Sequence, residues 1–256
     1  MSKLPKENKF LDLSDYGRPV AIWIANSIKT TRLTPIHVTS AFIISGLIAI
    51  ACILKGYYFA AALFLILKSI LDAADGELAR IKKTPSYVGR YYDSIADIIL
   101  NLLFLLTIRY VTNGSYWLTL VAFIGIQLQG TLYNYYYVIL RNKYNGDKTS
   151  RVFEDKAPTA MPGESQRSVN IFYHTYNTLY IAFDKSIYWM DRSAIEGNNL
   201  PKWFMTMVSS FGLGFQLLIM AIMLVLGLAA QIIPFFIAYS AFIMIFIGIR
   251  RYLNQS

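Results

Sequence analysis

The chain has 256 residues, of which 55% are hydrophobic, and its mean hydropathy is +0.42. So many apolar residues, spread along the whole chain, exclude a single water-soluble domain and are typical of a protein that crosses a membrane several times. A lone cysteine, Cys52, excludes an internal disulfide and a cysteine-rich zinc site. The net charge of +9 comes from basic residues that flank hydrophobic segments, so we expect no nucleic-acid partner.

Residues 1–35 are predicted to form a cytoplasmic leader followed by an interfacial helix. The first 14 residues are polar, and we expect them to be mobile. Between residues 15 and 32, apolar side chains such as Tyr16 and Trp23 alternate with polar ones such as Arg18 and Asn26. This pattern predicts an amphipathic helix on the cytoplasmic leaflet, with a frayed polar leader as the alternative.

Residues 36–256 are predicted to form an all-α domain that spans the membrane six times. A spanning helix needs about 20 apolar residues. Six runs are long enough: Ile36–Leu54, Tyr57–Ala79, Asp93–Val111, Trp117–Leu140, Phe204–Leu228 and Pro234–Tyr252. Only Lys55 and Gly56 separate the first two runs, which predicts a tight helical hairpin.

The distribution of basic residues predicts the orientation. Of the 24 Lys and Arg residues, 21 lie before the first span, between the second and third, between the fourth and fifth, or at the end of the sixth. Because cytoplasmic segments carry the excess of positive charge, both termini are expected in the cytoplasm. The turn after the second span and the loop at 141–203 are expected there too.

The loop at about 141–203 is the largest segment outside the predicted spans. Its second half, from Asn170 to Arg192, is rich in aromatic residues such as Tyr176, Tyr180 and Trp189. We predict a second surface helix there.

Four aspartates lie in one short window of this apolar chain, at positions 72, 75, 93 and 97. Carboxylates beside membrane-length apolar runs are costly and usually functional. Asp72 and Asp75 share one helix face, and Asp93 and Asp97 share another. Two helices joined by a short turn would direct all four carboxylates at one point, where Mg²⁺ or Mn²⁺ would hold them together.

The neighbours of Asp72 and Asp75 suit a phosphate ligand. Gly76 and Ala79 are small enough for a ligand to approach the helix closely. Arg80 offers a planar set of donors that matches phosphate oxygens. We interpret this combination as a site for a nucleotide pyrophosphate bound to metal.

Two further charged residues lie on the same segment. Glu77 falls outside the face shared by Asp72 and Asp75, and we expect it to be solvated. Lys68 precedes Asp72 by one helical turn, and we expect the two to pair.

The window resembles the signature of the CDP-alcohol phosphotransferase family, D-x2-D-G-x2-A-R-x8-G-x3-D-x3-D. Every fixed position matches with the right spacing: Asp72, Asp75, Gly76, Ala79, Arg80, Gly89, Asp93 and Asp97. The resemblance also covers the six-span layout and the interfacial helix.

The resemblance implies that a hydroxyl of an acceptor alcohol attacks a CDP-linked alcohol, CMP leaves and a phosphodiester forms. Asp72, Asp75 and Asp93 would be metal ligands, and Asp97 would be both a ligand to a second ion and the general base. It also implies a homodimer. The expected donor-binding residues are Thr39, Gly76, Ala79, Arg80, Ser86 and Gly89.

One position departs from the family pattern. Members often carry Pro-Asn-x-x-Thr at the start of the first span, where this chain has Pro35, Ile36 and Thr39. Ile36 replaces the usual polar residue, so the resemblance does not extend to a contact between this position and the donor; the implied reaction is unaffected.

The substrates stay open at this point. One choice is CDP-diacylglycerol as donor with a polar, phosphorylated or unphosphorylated, acceptor, which the cytoplasmic basic residues favour. The other is CDP-choline or CDP-ethanolamine with diacylglycerol as acceptor. Both choices make membrane lipids partners of an integral membrane enzyme of phospholipid synthesis.

Other protein classes explain the aspartates less well. A cation transporter should carry ionisable residues or repeats in several spans, but the last three predicted spans contain no acidic residue. An inactive scaffold would be expected to have lost an aspartate. A purely structural cluster, paired with Lys68, Arg80 and Arg90, would not require this spacing.

Overall fold

In a computed structural model of the chain, which describes residues 4–144, 156–196 and 200–254, all regular structure in those ranges is helical. Within these described ranges, ten α-helices follow one another, with short 3₁₀ turns between some of them. They are α1 (Arg18–Ile28), α2 (Pro35–Leu54), α3 (Tyr58–Lys82), α4 (Tyr87–Thr112), α5 (Tyr116–Lys143), α6 (Gln166–Met190), α7 (Lys202–Val208), α8 (Leu213–Val225), α9 (Ile232–Tyr239) and α10 (Phe242–Leu253). The all-α prediction is therefore confirmed.

Three segments of the described chain are long and apolar enough to cross a membrane: α2, α4 and Ala229–Leu253, which includes α9 and α10. A fourth is bent by 55° between Lys202–Phe211 and α8. The other two predicted spans correspond to α3 and α5, which have 25 and 28 residues. Both are long enough to cross, but charged and polar side chains lower their hydropathy. Six spans and their orientation stay a prediction.

The turn between α3 and α4 is determined by local chemistry. Helix α3 ends where Lys83 takes the left-handed conformation, with φ of 52°, and Thr84 N donates to Ala79 O at 3.1 Å. Pro85 cannot continue the helix. Helix α4 then begins after Ser86, whose Oγ accepts from Gly89 N at 2.8 Å. This short turn brings the aspartates near the end of α3 close to those near the start of α4.

The N-terminal segment, residues 4–15, packs into the helical bundle, so the expectation of a mobile leader is wrong for residues 4–14. Leu4 is 3% exposed, and Leu13 N donates to Ser209 Oγ at 2.9 Å. Tyr133 Oη donates to the Asp12 carboxylate. These contacts fix the position of the segment between α5 and α8.

Glycine at the start of α8 makes room for this segment. A Cβ at Gly214 would overlap the carbonyl oxygen of Ser14, and one at Gly212 would overlap the Ser14 side chain. Backbone atoms can approach this closely only where no side chain intervenes.

Replacing Gly214 with alanine is expected to displace the N-terminal segment. The new methyl group must push the Ser14 backbone away, so unfolding should require about 1–3 kcal/mol less than in the wild type. Thermal unfolding in detergent measures the loss, and limited proteolysis should cut faster within residues 4–15.

Gly248 provides the matched control, because it lies in α10 and a Cβ there would meet no heavy atom within 4 Å. Gly248→Ala should be neutral or stabilising, by up to about 1 kcal/mol. If Gly214→Ala behaves in the same way, the close packing of Ser14 is not important for stability.

Helix α1 has a buried face and an exposed face. Ala21 and Ala25 are fully buried, and the helix packs on α3. Trp23 on the opposite face is 69% exposed. The location of this exposed face at the membrane surface stays a prediction.

The helix predicted in the second half of the long loop is present as α6, which packs against α4 and α5. Its location at the membrane surface stays a prediction. After α6, the chain is anchored by the buried carboxylate of Asp191. Arg250 Nε and Tyr136 Oη donate to its Oδ2 at 2.8 and 2.6 Å. Arg250 is thus a structural ion-pair partner for the end of the loop.

Candidate active site

One cavity of about 410 Å³ lies among the N-terminal segment and helices α3, α4, α5, α6 and α8. Its lining is mostly polar and includes all four aspartates of the sequence window. The predicted site residues that line it are Asp72, Asp75, Gly76, Arg80, Asp93 and Asp97.

Three of the aspartates form a group that suits a divalent cation. Asp72, Asp75 and Asp93 each offer a carboxylate oxygen, and these oxygens lie within 4.8 Å of one another. Asp93 Oδ1 is buried and has no hydrogen-bond partner among the described residues. Three mutually repelling carboxylates, one with an orphaned oxygen, fit the all-oxygen coordination of Mg²⁺ or Mn²⁺.

Thr39 on α2 orients one of these carboxylates. Its Oγ1 donates to Asp75 Oδ2 at 2.6 Å, and both side chains are almost fully buried. Thr39 does not line the cavity. In this structure its contact is therefore with a predicted metal ligand, and its predicted contact with the donor stays a prediction.

Asp97 is separated from the other three by a lysine. Lys68 Nζ donates to Asp72 Oδ2 at 3.0 Å and also bonds Asp97 Oδ1. The predicted pairing of Lys68 with Asp72 is confirmed. The bond to Asp97 was beyond the reach of sequence reasoning, because no periodicity links residues on two different helices.

The cationic side of the cavity contains a chain of ion pairs. Arg80 Nη2 lies 2.9 Å from Glu77 Oε1, and Arg18 on α1 also bonds Glu77. The Glu77 side chain is only 14% exposed, so the expectation that it is solvated is wrong. Glu77 instead holds two guanidinium groups at the edge of the cavity.

The start of α4 is capped by a residue from the long loop. Glu164 accepts from Ser86 Oγ at 2.6 Å and from Val88 N at 2.8 Å. Partial burial raises the pKa of Glu164, but these hydrogen bonds outweigh it, and the pKa lies below its usual value. Ser86, Gly89 and Ala79 do not line the cavity, and their predicted contacts with the donor stay predictions.

The far side of the cavity is formed by a polar face of α5 that the sequence analysis did not single out. Gln127, Thr131, Asn134 and Arg141 all line the cavity and recur at helical spacing. Gln127 is 6% exposed, and its Nε2 has no hydrogen-bond partner within the described part of the chain. The only sequence signal was this polar periodicity within an apolar run.

A helical membrane protein with clustered carboxylates in a polar cavity is the class that the fold and the site define. The sequence profile of the CDP-alcohol phosphatidyltransferase family matches residues 24–163, more than half of the chain. The chain belongs to that family, as its aspartate window predicts.

One relative matches a smaller region. The chain is 35% identical over 97 residues to the bifunctional IPC transferase and DIPP synthase of Thermococcus kodakarensis. The matched region is 37% of this chain and 22% of that protein, so the chain spans only about a fifth of that relative's length.

Proposed function

We propose that the protein transfers a substituted phosphate group from a CDP-alcohol to an acceptor hydroxyl and releases CMP. The observation that carries this proposal is the convergence of Asp72, Asp75 and Asp93 beside Asp97 in one polar cavity. Family membership supports the same class of reaction.

Asp72, Asp75 and Asp93 would hold a divalent ion, which when bound supplies positive charge to the donor pyrophosphate and to the departing CMP. Gly76 and Arg80 line the same cavity. Arg80 would place its guanidinium against a phosphate oxygen, and Glu77 would keep that guanidinium in position.

Asp97 would act as the general base. Lys68 bonds one oxygen of its carboxylate, and the other would accept the proton of the attacking hydroxyl. Because Asp97 lies on the same helix face as Asp93, the base would stand one turn from a metal ligand.

The polar groups that line the cavity favour a polar acceptor. Its α5 side presents an amide, a hydroxyl and a guanidinium, from Gln127, Thr131 and Arg141. A diacylglycerol acceptor would bury these groups against acyl chains without partners, which is costly. This argument supports CDP-diacylglycerol as the donor. The distribution of basic residues supports a multi-pass enzyme with its active site at the cytoplasmic face. Family membership supports a homodimer.

Purified protein in lipid vesicles tests the reaction. With Mn²⁺ or Mg²⁺, a CDP-alcohol and an acceptor, we expect CMP release that stops on chelation and returns when the ion is restored. CDP-diacylglycerol with polar acceptors, and CDP-choline with diacylglycerol, separate the two substrate choices. Vesicles that take up Mn²⁺ but release no CMP with any donor would contradict the proposal and indicate a transporter.

Lipid analysis of cells that express the protein identifies the acceptor. Mass spectrometry should detect a new phosphodiester headgroup, which an inactive Asp97→Asn control lacks. A new headgroup that appears equally in cells expressing Asp97→Asn would show that the lipid is not made by this protein.

A further inference from the structure

We propose that the Lys68 ammonium takes the place of a second divalent ion at the edge of the cluster between Asp72 and Asp97. In the absence of donor, each chain would then bind one divalent ion, held by Asp72, Asp75 and Asp93. This inference rests on the proposed metal-dependent function and revises the expectation of two ions.

The Lys68 ammonium already binds the two carboxylates that a second ion would need as ligands. Its two carboxylate partners are Asp72 Oδ2, at 3.0 Å, and Asp97 Oδ1. Asp97 is not part of the group of three whose oxygens converge within 4.8 Å. The four aspartates therefore form two overlapping groups that share Asp72. Asp72, Asp75 and Asp93 are suited to a metal ion, and Asp72 and Asp97 are bridged by the Lys68 ammonium.

Lys68 cannot easily leave this position. It is 1% exposed, and the Phe42 ring covers its ammonium, with Nζ 4.5 Å from the ring centroid. A buried charge that loses its partners is strongly destabilising. A second ion would have to separate the ammonium from both carboxylates, or bind beside a like charge in a poorly screened site.

An ammonium between Asp72 and Asp97 cannot bind the donor as a divalent ion would. An ammonium neutralises carboxylate charge, but it has no open coordination position to offer a phosphate oxygen. The donor pyrophosphate would then be held by one ion together with Arg80. Lys68 is thus a positioning residue that acts through Asp72 and Asp97.

Counting bound Mn²⁺ on the full-length protein without donor tests the inference. Electron paramagnetic resonance of the free ion should give one Mn²⁺ per wild-type chain and two per Lys68→Met chain. Methionine keeps the length of the side chain and removes its charge. Lys55→Met, which removes the same charge from an exposed turn, should still bind one.

Each other count overturns the inference in a recognisable way. Two ions per wild-type chain, with CMP release intact, would leave the proposed function standing and remove the role of Lys68. A count of one in Lys68→Met would show that the ammonium does not occupy an ion position. No bound ion in the wild type would contradict both this inference and the metal-dependent function.

A second measurement covers the case in which Lys68→Met does not fold. A structure of the wild-type protein grown with Mn²⁺ should show one anomalous peak at Asp72, Asp75 and Asp93, with Lys68 still on Asp97. Two peaks, or a lysine turned away from Asp97, would overturn the inference.

Discussion

Replacing Asp97 with asparagine is expected to lower the rate of CMP release by about 10²–10⁴-fold while donor affinity changes by no more than a few fold. The loss corresponds to about 3–5 kcal/mol of transition-state stabilisation. Asparagine has nearly the same shape, and its carbonyl oxygen can still accept from Lys68. The variant therefore removes the ability to take a proton while retaining the bond to α3.

Single-turnover kinetics with CDP-diacylglycerol, together with donor titration in the presence of Mn²⁺, would separate chemistry from binding. Glu196→Gln is a suitable control, because Glu196 is exposed and lies outside the cavity lining. A rate within tenfold of the wild type in Asp97→Asn would reject Asp97 as the general base. A parallel loss of donor affinity would instead indicate that it holds the donor or its ion.

Replacing Asp75 with alanine is expected to weaken Mn²⁺-dependent donor binding by at least about 100-fold. Asp75 is the most deeply buried member of the three-carboxylate group, at 8% exposed. Its loss leaves two carboxylates to hold the ion. The Thr39 hydroxyl keeps a partner, since without Asp75 its proton can turn to Pro35 O, 3.1 Å away.

In the absence of metal, the Asp75→Ala variant should be at least as stable as the wild type, although it binds the donor less tightly. Asp72, Asp75 and Asp93 repel one another when no cation lies between them, so Asp75→Ala should melt at the same temperature as the wild type or higher in chelator. With Mn²⁺, only the wild type should gain stability. Equal stabilisation of both proteins by Mn²⁺ would show that the ion binds elsewhere.

Features that depend on short stretches of chain were accessible from the sequence. The spacing of the aspartates predicted that each pair shares one helix face, and a short turn joins the two helices as the window predicts. The aromatic segment in the long loop formed α6 close to its predicted bounds. These features follow from helical periodicity and backbone chemistry within about 25 residues.

The apolar signal of a span is weaker in two of the helices that line the site, α3 and α5. Both carry charged or polar side chains that face the cavity, and these lower the signal by which a span is recognised. A functional helix in a membrane protein weakens its own signature, because its ligand-binding face must be polar.

By itself, the sequence of this protein determined the class of fold, the family and the four carboxylates, because each is written in local spacing. Only the tertiary structure decided that Lys68 joins Asp97, that Glu77 holds two arginines, and that residues 4–15 pack against Gly212 and Gly214. Those contacts link segments distant in sequence. Their partners are selected by packing and by the cost of burying unpaired charge, which no local pattern records.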